Sequence, residues 1–240
     1  YMRIGETNPA LAKGFKSVTN DGTTMSIAGT ISKIFILLAI VAAAFLYSWF
    51  YIPYSSKVIS GVAVVTFIVA MITSFFPKSA QFTSIIYAAF EGLLLGNISR
   101  LFNYIYPGIV LPAIALTIVA VIVTVIVYGK KPSLANRTSK GVMIALLTIV
   151  ITSLISMLLS RFGIILPIYN YSPIGIIFSL AVVIIATISL MQDYDFILRG
   201  SQSGAPKYME WYGAFGLMVT LIWLYMEIIQ LLSKLLSDRD

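Results

Sequence analysis

Seven long apolar runs make up most of this chain, and they restrict what it can fold into. A helix needs about 20 consecutive apolar residues to cross the hydrocarbon layer of a membrane. Measured against that length, the runs lie at 33–52, 58–76, 82–102, 108–128, 141–161, 174–198 and 208–234. Proline or glycine separates them, because proline disfavours helix in the residue before it. The sequence therefore predicts an all-α membrane protein, a bundle of seven transmembrane helices over residues 31–236, preceded by a polar cytoplasmic tail at 1–30.

Composition excludes several classes of function. Only 10% of the residues are charged, 59% are hydrophobic and the mean hydropathy is +0.96, whereas about a quarter of the residues in soluble domains are charged. The chain has no cysteine and no histidine, which removes disulfides, thiol nucleophiles, zinc sites and histidine acid–base chemistry. We expect no enzymatic activity and no cofactor. The net charge of +7 is spread between apolar runs, so we expect a lipid bilayer rather than nucleic acid as the partner.

Basic residues predict the orientation. Eleven lie on the side of the N-terminus and five on the opposite side, and positive residues favour the cytoplasm. The eleven are Arg3, Lys13, Lys16, Lys33, Lys78, Lys130, Lys131, Arg137, Lys140, Arg199 and Lys207; the five are Lys57, Arg100, Arg161, Lys234 and Arg239. The N-terminus is predicted inside and the C-terminus outside.

Acids inside apolar runs are the candidate functional residues, since an ionisable group at membrane depth usually marks an ion or proton pathway. Asp193 and Asp195 close the sixth run. Two residues on a helix span roughly 200° of rotation, so these two side chains cannot share a face. For Asp193 we favour a solvated end charge over a side chain that points into the bundle, and Asp193 stays a candidate residue of the ion pathway and pH sensor. For Asp195, a solvated end charge and a buried site both remain open.

Glu227 and Glu91 lie deeper in their runs. Glu227 has apolar turns on both sides, so it must pair, face water or carry a proton. Glu91 stands about ten residues into the third run, next to the G-x-x-x-G of Gly92 and Gly96, a spacing that permits close helix contact. Lys78 and Arg100 bracket this run. They are either counter-ions or side chains that reach to the interface.

Several classes of seven-helix protein can be tested on single residues. A retinal protein needs a lysine deep in the last span, and Lys234 is at its end. Rhomboid-type proteases need a histidine, which this chain lacks. Aspartyl intramembrane proteases share a Tyr-Asp on the sixth span but also need a Gly-x-Gly-Asp on the seventh, where only Glu227 is present.

Short segments along nearly the whole chain resemble the Bax inhibitor-1 family, specifically its bacterial branch. The resemblance is carried by residues 8–11 (NPAL), 90–96 (FEGLLLG), 106–110 (YPGIV), 193–197 (DYDFI), 204–212 (GAPKYMEWY) and 224–227 (LYME). The polar segment 204–212 is the most specific of these. The resemblance implies a seven-helix bundle with the last helix central, in a bacterial inner membrane.

What the resemblance implies about function is a pH-sensitive leak for calcium or a similar cation. In that family a Tyr-Asp on the sixth helix pairs with an acid on the seventh, and here Asp195 and Glu227 match those positions. Such a pair shares a proton, because two close carboxylates in low dielectric cannot both ionise. Once deprotonated it could hold calcium through its oxygens. For the family's basic latch, Lys78 is the nearest match, with Arg100 at the other end of the same run.

Helix geometry already opposes this pairing. Glu227 lies roughly 22 Å along the seventh helix, whereas Asp195 lies only about 8 Å from the end of the sixth. Helix tilt, a longer sixth helix, or Glu91 as the partner would resolve the difference. Two other functions remain open from the sequence, namely a non-conducting scaffold that binds membrane proteins and a proton-coupled transporter.

Overall fold

The computed structural model describes residues 24–53, 56–164 and 166–237, and this part of the chain contains seven α-helices. Six of them are identified, by length and composition of their described residues, as able to cross a membrane. The helices are α1 Ile27–Tyr51, α2 Ser56–Phe75, α3 Ala80–Ile105, α4 Val110–Lys130, α5 Ser133–Ser160, α6 Pro173–Gln202 and α7 Met209–Ser237. With 20 residues, α2 is about 30 Å long. The predicted all-α membrane fold is confirmed.

Capping residues and prolines set the helix ends close to the predicted breaks. Ser26 caps α1 and Ser172 caps α6, each accepting a hydrogen bond from a backbone N–H three residues later. Pro132 immediately precedes α5, which therefore begins at Ser133, eight residues before the predicted apolar run. Likewise, α1 begins at Ile27, inside the predicted tail. Residues 1–23 of that tail, with the segment 8–11, lie outside the described residues.

Two faces of the bundle follow from the alternating helices. At one, which we call the basic face, α1, α3, α5 and α7 begin and α2, α4 and α6 end. The start of α1 is bound there to the α6–α7 connection, since the Met25 amide donates to the Ala205 carbonyl over 2.7 Å. Described basic residues on this face are Lys33, Lys78, Lys130, Lys131, Arg137, Lys140, Arg199 and Lys207. We call the other end of the bundle the opposite face.

The last helix lies at the centre of the bundle. α7 packs against α1, α3, α4 and α6, and Met218, Leu224 and Ile229 on it are fully buried. By contrast, α5 is peripheral and buries only Ala135 and Val142. Its apolar side chains are exposed, as expected of a helix that faces lipid.

Helices α1 and α3 contact each other at backbone distance. A Cβ added to Gly92 would lie 2.5 Å from the Val41 carbonyl oxygen, and one added to Gly96 would lie 2.5 Å from that of Phe45. The G-x-x-x-G spacing thus marks a true helix–helix contact. Beside it, Ser48 donates to the Leu93 carbonyl over 2.7 Å.

Candidate functional site

The α6–α7 seam contains two of the predicted acids. Small and polar positions on α7 recur at Gly216, Thr220, Trp223, Glu227 and Lys234, and at 100° per residue these lie within one narrow stripe. Asp193 of α6 faces Gly216 at one end of this stripe, and Ser179 of α6 binds Lys234 at the other. The two helices therefore run antiparallel, with Glu227 between these contacts. We call these five positions of α7, together with Asp193 and Ser179 of α6, the polar seam.

Asp193 points into the seam. Its Oδ1 lies 3.9 Å from the position that a Cβ on Gly216 would occupy. Its Oδ2 is buried and has no hydrogen-bond partner within the described part of the chain. The interpretation of Asp193 as a solvated end charge was wrong. α6 continues through Asp193 to Gln202, which keeps this residue more than two turns inside the helix.

Asp195 points away from the seam, as the 200° offset requires. Tyr128 of α4 donates to its Oδ1 over 3.2 Å, and Arg199 forms an ion pair with its Oδ2 at 2.6 Å. Arg199 also donates to Asn136 of α5. Asp195 thus belongs to a partly exposed cluster near the basic face that joins α4, α5 and α6. Of the two aspartates, the structure places Asp193 inside the bundle and Asp195 paired at its edge.

Glu227 is partly buried, and the indole N–H of Trp223, one turn earlier on α7, donates to its Oε1 over 3.0 Å. It lies 11 residues beyond Gly216, which corresponds to about 16 Å along the helix. Asp195 and Glu227 are therefore not paired, because Asp195 faces α4 near the basic face and Glu227 lies much farther along α7. Asp193 and Glu227 share the seam as two separate positions along it.

Glu91 lies on another side of α7. One turn before it on α3, the ring of Tyr87 packs edge-on against Phe215, with centroids 5.1 Å apart. Phe215 lies about 100° around the helix from Gly216. Glu91 is partly buried at this α3–α7 contact and does not join the polar seam.

Neither predicted latch residue binds an acid among the described residues. Lys78 lies exposed in a short 3-10 helix, Pro77–Ser79, at the basic face. Arg100 donates to the Trp49 carbonyl over 3.1 Å and so ties α3 to the end of α1.

A buried acid that the sequence analysis did not single out is Glu210. Its side chain is essentially inaccessible, with 1% of the residue exposed. Its Oε1 accepts hydrogen bonds from the Ser26 amide and hydroxyl, both 2.9 Å, and its Oε2 pairs with Lys33 at 2.5 Å. Lys33 also lies over the Trp211 ring, 5.4 Å from its centroid. We call this cluster the α1 clamp.

A sequence signal for the clamp existed. Glu210 is one of only nine acidic residues and stands at the start of an apolar run, where an acid favours a helix N-terminus. Its partners lie more than 170 positions away, and sequence periodicity cannot connect residues so far apart.

Metal binding by Asp195 and Glu227 is not supported, since the two are apart. Within the described residues, no three or more acidic side chains are grouped so that they could hold a metal ion. A groove of about 530 Å³ between α1, α4 and α7 is lined almost entirely by apolar side chains such as Leu38, Phe45 and Ile118. It lacks the polar lining that an ion would need.

Comparison with protein families matches residues 8–237 to the family described as Bax inhibitor 1 like. No curated protein and no solved structure matches the chain. The match covers all seven described helices, with the polar seam and the α1 clamp inside it.

Proposed function

Since the chain belongs to the Bax inhibitor 1 like family, we propose that it lets calcium or a similar cation leak across a bacterial inner membrane. In this proposal the cation moves down its gradient along the polar seam. Asp193 and Glu227 make the leak sensitive to pH. Calcium is then the permeant ion, and the protein needs no resident cofactor or metal.

The observation that carries the proposal is the buried Oδ2 of Asp193, which has no hydrogen-bond partner among the residues that the structure describes. An ionised carboxylate in such a place is costly unless a proton or a cation compensates it. Asp195, by contrast, already has Arg199 and Tyr128 as partners. Among the two sixth-helix aspartates, Asp193 is therefore the one whose occupancy by a proton or a cation can change.

The seam offers a physical route for gating. With Asp193 and Glu227 protonated, neither acid places a negative charge between the helices. Deprotonation leaves two carboxylates that attract a hard cation through oxygen ligands. Because about 16 Å of α7 separates Gly216 from Glu227, the two acids act as successive stations rather than as one titrating pair. We expect the leak to increase as the pH rises.

Calcium flux into liposomes that contain the purified protein tests this proposal. Asp193→Asn mimics permanent protonation, so flux at high pH should fall about tenfold, toward the low-pH level, because a cation loses its attraction to a nearby charge. Glu227→Gln should act likewise, and the double variant should combine the two effects, as distant sites do. The matched control is Asp195→Asn, two residues away on the outer side of α6, which should keep the pH response.

If Asp195→Asn removes the pH response and Asp193→Asn keeps it, the seam is not the pathway. If Glu91→Gln has the largest effect, the pathway lies along α3. If calcium flux never exceeds that of empty liposomes, at any pH and in any variant, the leak proposal fails. A non-conducting scaffold that binds other membrane proteins then becomes the better account. Flux of protons coupled to a solute would favour a transporter.

We also propose that the basic face lies in the cytoplasm, because it carries most of the described lysine and arginine residues. The absence of native cysteine makes labelling direct. Ser160→Cys, at the opposite face, should react with a membrane-impermeant maleimide in intact cells, whereas Ser133→Cys at the basic face should react only after lysis. Both serines are exposed. Labelling of Ser133→Cys in intact cells would reverse the orientation.

Catalysis is not part of the proposal. The chain has neither histidine nor cysteine, and the seam acids lie too far apart for the shared-proton chemistry of an aspartyl dyad. We therefore propose a conducting protein rather than an enzyme.

A further inference from the structure

Lys234 is a buried cation at the opposite-face end of the polar seam. Only 6% of the residue is exposed, although lysine is rarely buried without a partner. It lies seven residues beyond Glu227, two turns and about 10 Å along the same stripe of α7. A buried positive charge thus ends the row of seam residues that begins at Asp193.

Three oxygen atoms surround the Lys234 ammonium group. It donates to the Ser179 hydroxyl over 2.8 Å, to the Gly175 carbonyl over 3.2 Å and to the Ile168 carbonyl over 3.4 Å. An ammonium group has three donors and no acceptor, so these partners use its full capacity. Carbonyl and hydroxyl oxygens are also the ligands with which proteins replace the hydration shell of a small cation.

A glycine allows the chain to bring these three oxygens, which we call the cage, close to one another. The short 3-10 helix Pro167–Tyr169 precedes α6 and folds over its first turn. There the Ser172 hydroxyl accepts a hydrogen bond from the Gly175 amide over 3.2 Å. A Cβ on Gly175 would collide with the Asn170 carbonyl oxygen. The connection before α6 can therefore approach closely only because residue 175 is glycine, and this approach places the Ile168 and Gly175 carbonyls around one point.

We propose that the three oxygens form a binding site for a small monovalent cation, and that the Lys234 ammonium group fills this site as a tethered plug. Removing the lysine leaves a site that ammonium or potassium ions occupy. The role of the plug in flux rests on the proposed leak, where the fixed positive charge slows the entry and exit of cations at the opposite face of the seam. The existence of the site does not depend on conduction.

Thermal unfolding of the purified protein in detergent tests the site. Lys234→Ala empties the cage, and we expect its unfolding midpoint in choline chloride to fall about 5 °C below that of the wild type. Ammonium or potassium chloride at the same ionic strength should restore most of this loss, whereas choline is too large to enter. Lys234→Met is the matched control, because its apolar chain fills the space without charge and leaves no room for an ion. Lys140→Ala, an exposed lysine on α5, controls for general salt effects.

An Ala variant with the same midpoint in choline, ammonium and potassium chloride overturns the cation site and leaves Lys234 as a plain structural tether. If Lys234→Ala folds only when it is prepared in ammonium or potassium, the site is supported. If it folds in none of the three salts while Lys234→Met folds, the site is also rejected.

Calcium flux in liposomes separates the site from its role as a plug. Lys234→Met should raise the flux roughly tenfold, because a unit charge about 10 Å from Glu227 disfavours a cation there by about that factor. Lys234→Arg should keep flux low, since it retains the charge. Cation rescue of Lys234→Ala with no flux in any variant would reject the leak and keep the site. Calcium flux without cation rescue of Lys234→Ala would keep the leak and reject the site.

Discussion

Gly96→Ala should destabilise the protein by about 1–3 kcal/mol, the usual range for overpacking a tight contact. The added methyl group would lie 2.5 Å from the Phe45 carbonyl oxygen and 2.8 Å from the Ser48 Cβ. Most of what it meets is backbone, so no side-chain rotation can make room, and α1 and α3 must move apart. That movement also strains the hydrogen bond from Asn97 to Ser48, now 2.6 Å long. Gly92→Ala should behave alike, since it meets the Val41 backbone at the same distance.

The measurement is unfolding of the purified protein by titration with a denaturing detergent, followed by loss of helical circular dichroism. Gly141→Ala is the matched control, because it lies in helix α5 with nothing within 4 Å of the added atom. It should be neutral or stabilising by up to about 1 kcal/mol, the intrinsic gain of alanine over glycine. Equal behaviour of Gly96→Ala and Gly141→Ala would mean that α1 and α3 do not touch at backbone distance in the folded protein.

Glu210→Gln should cost about 2–3 kcal/mol and loosen the start of α1. Removing one partner of a buried ion pair costs 3–5 kcal/mol when the other charge stays buried, and the 16% exposure of the Lys33 side chain reduces this through solvent. Glutamine can still accept hydrogen bonds from Ser26, so the variant isolates the charge. Lys33→Met removes the other partner, and the double variant should cost less than the sum of the two.

Hydrogen exchange over residues 24–33 reads out the loosening directly, beside the unfolding midpoint. Arg199→Gln is the control, because it breaks an ion pair whose arginine side chain is 53% exposed and such pairs contribute about 0–1 kcal/mol. If exchange at residues 24–33 is unchanged in Glu210→Gln, the clamp does not hold α1, and the buried carboxylate serves only to cap the chain at Ser26.

Sequence reasoning located the helices because their signal is local. Apolar length, proline and glycine determine where a helix can cross a membrane, and all seven runs became helices. The ends at Ser133 and Gln202 lie outside the predicted runs, because polar residues that follow or precede a span can extend its helix into the interface at little cost. The close α1–α3 contact was also present in the sequence, as the spacing of Gly92 and Gly96.

The local sequence signal did not say which of the two aspartates, Asp193 or Asp195, faces which neighbouring helix. The rotation between Asp193 and Asp195 excluded a common face, but it could not say which one faced α7, since both directions from α6 are occupied by protein. Only the packing of α4 on one side, with Tyr128, and of α7 on the other, with Gly216, decided this. The match to family positions favoured Asp195, and the burial of the two side chains supports Asp193 instead.

Two buried charged residues show most clearly what the sequence determined and what only the tertiary structure decided. The sequence by itself determined that Glu210 and Lys234 stand at the two ends of the last apolar run, where exposure to the interface is the simplest expectation. The tertiary structure decided that both are buried, Glu210 with Ser26 and Lys33 from the start of the chain, and Lys234 with oxygens at the start of α6. A buried charge needs partners, and partners separated by 55 to 184 positions are brought together only by the packing of whole helices.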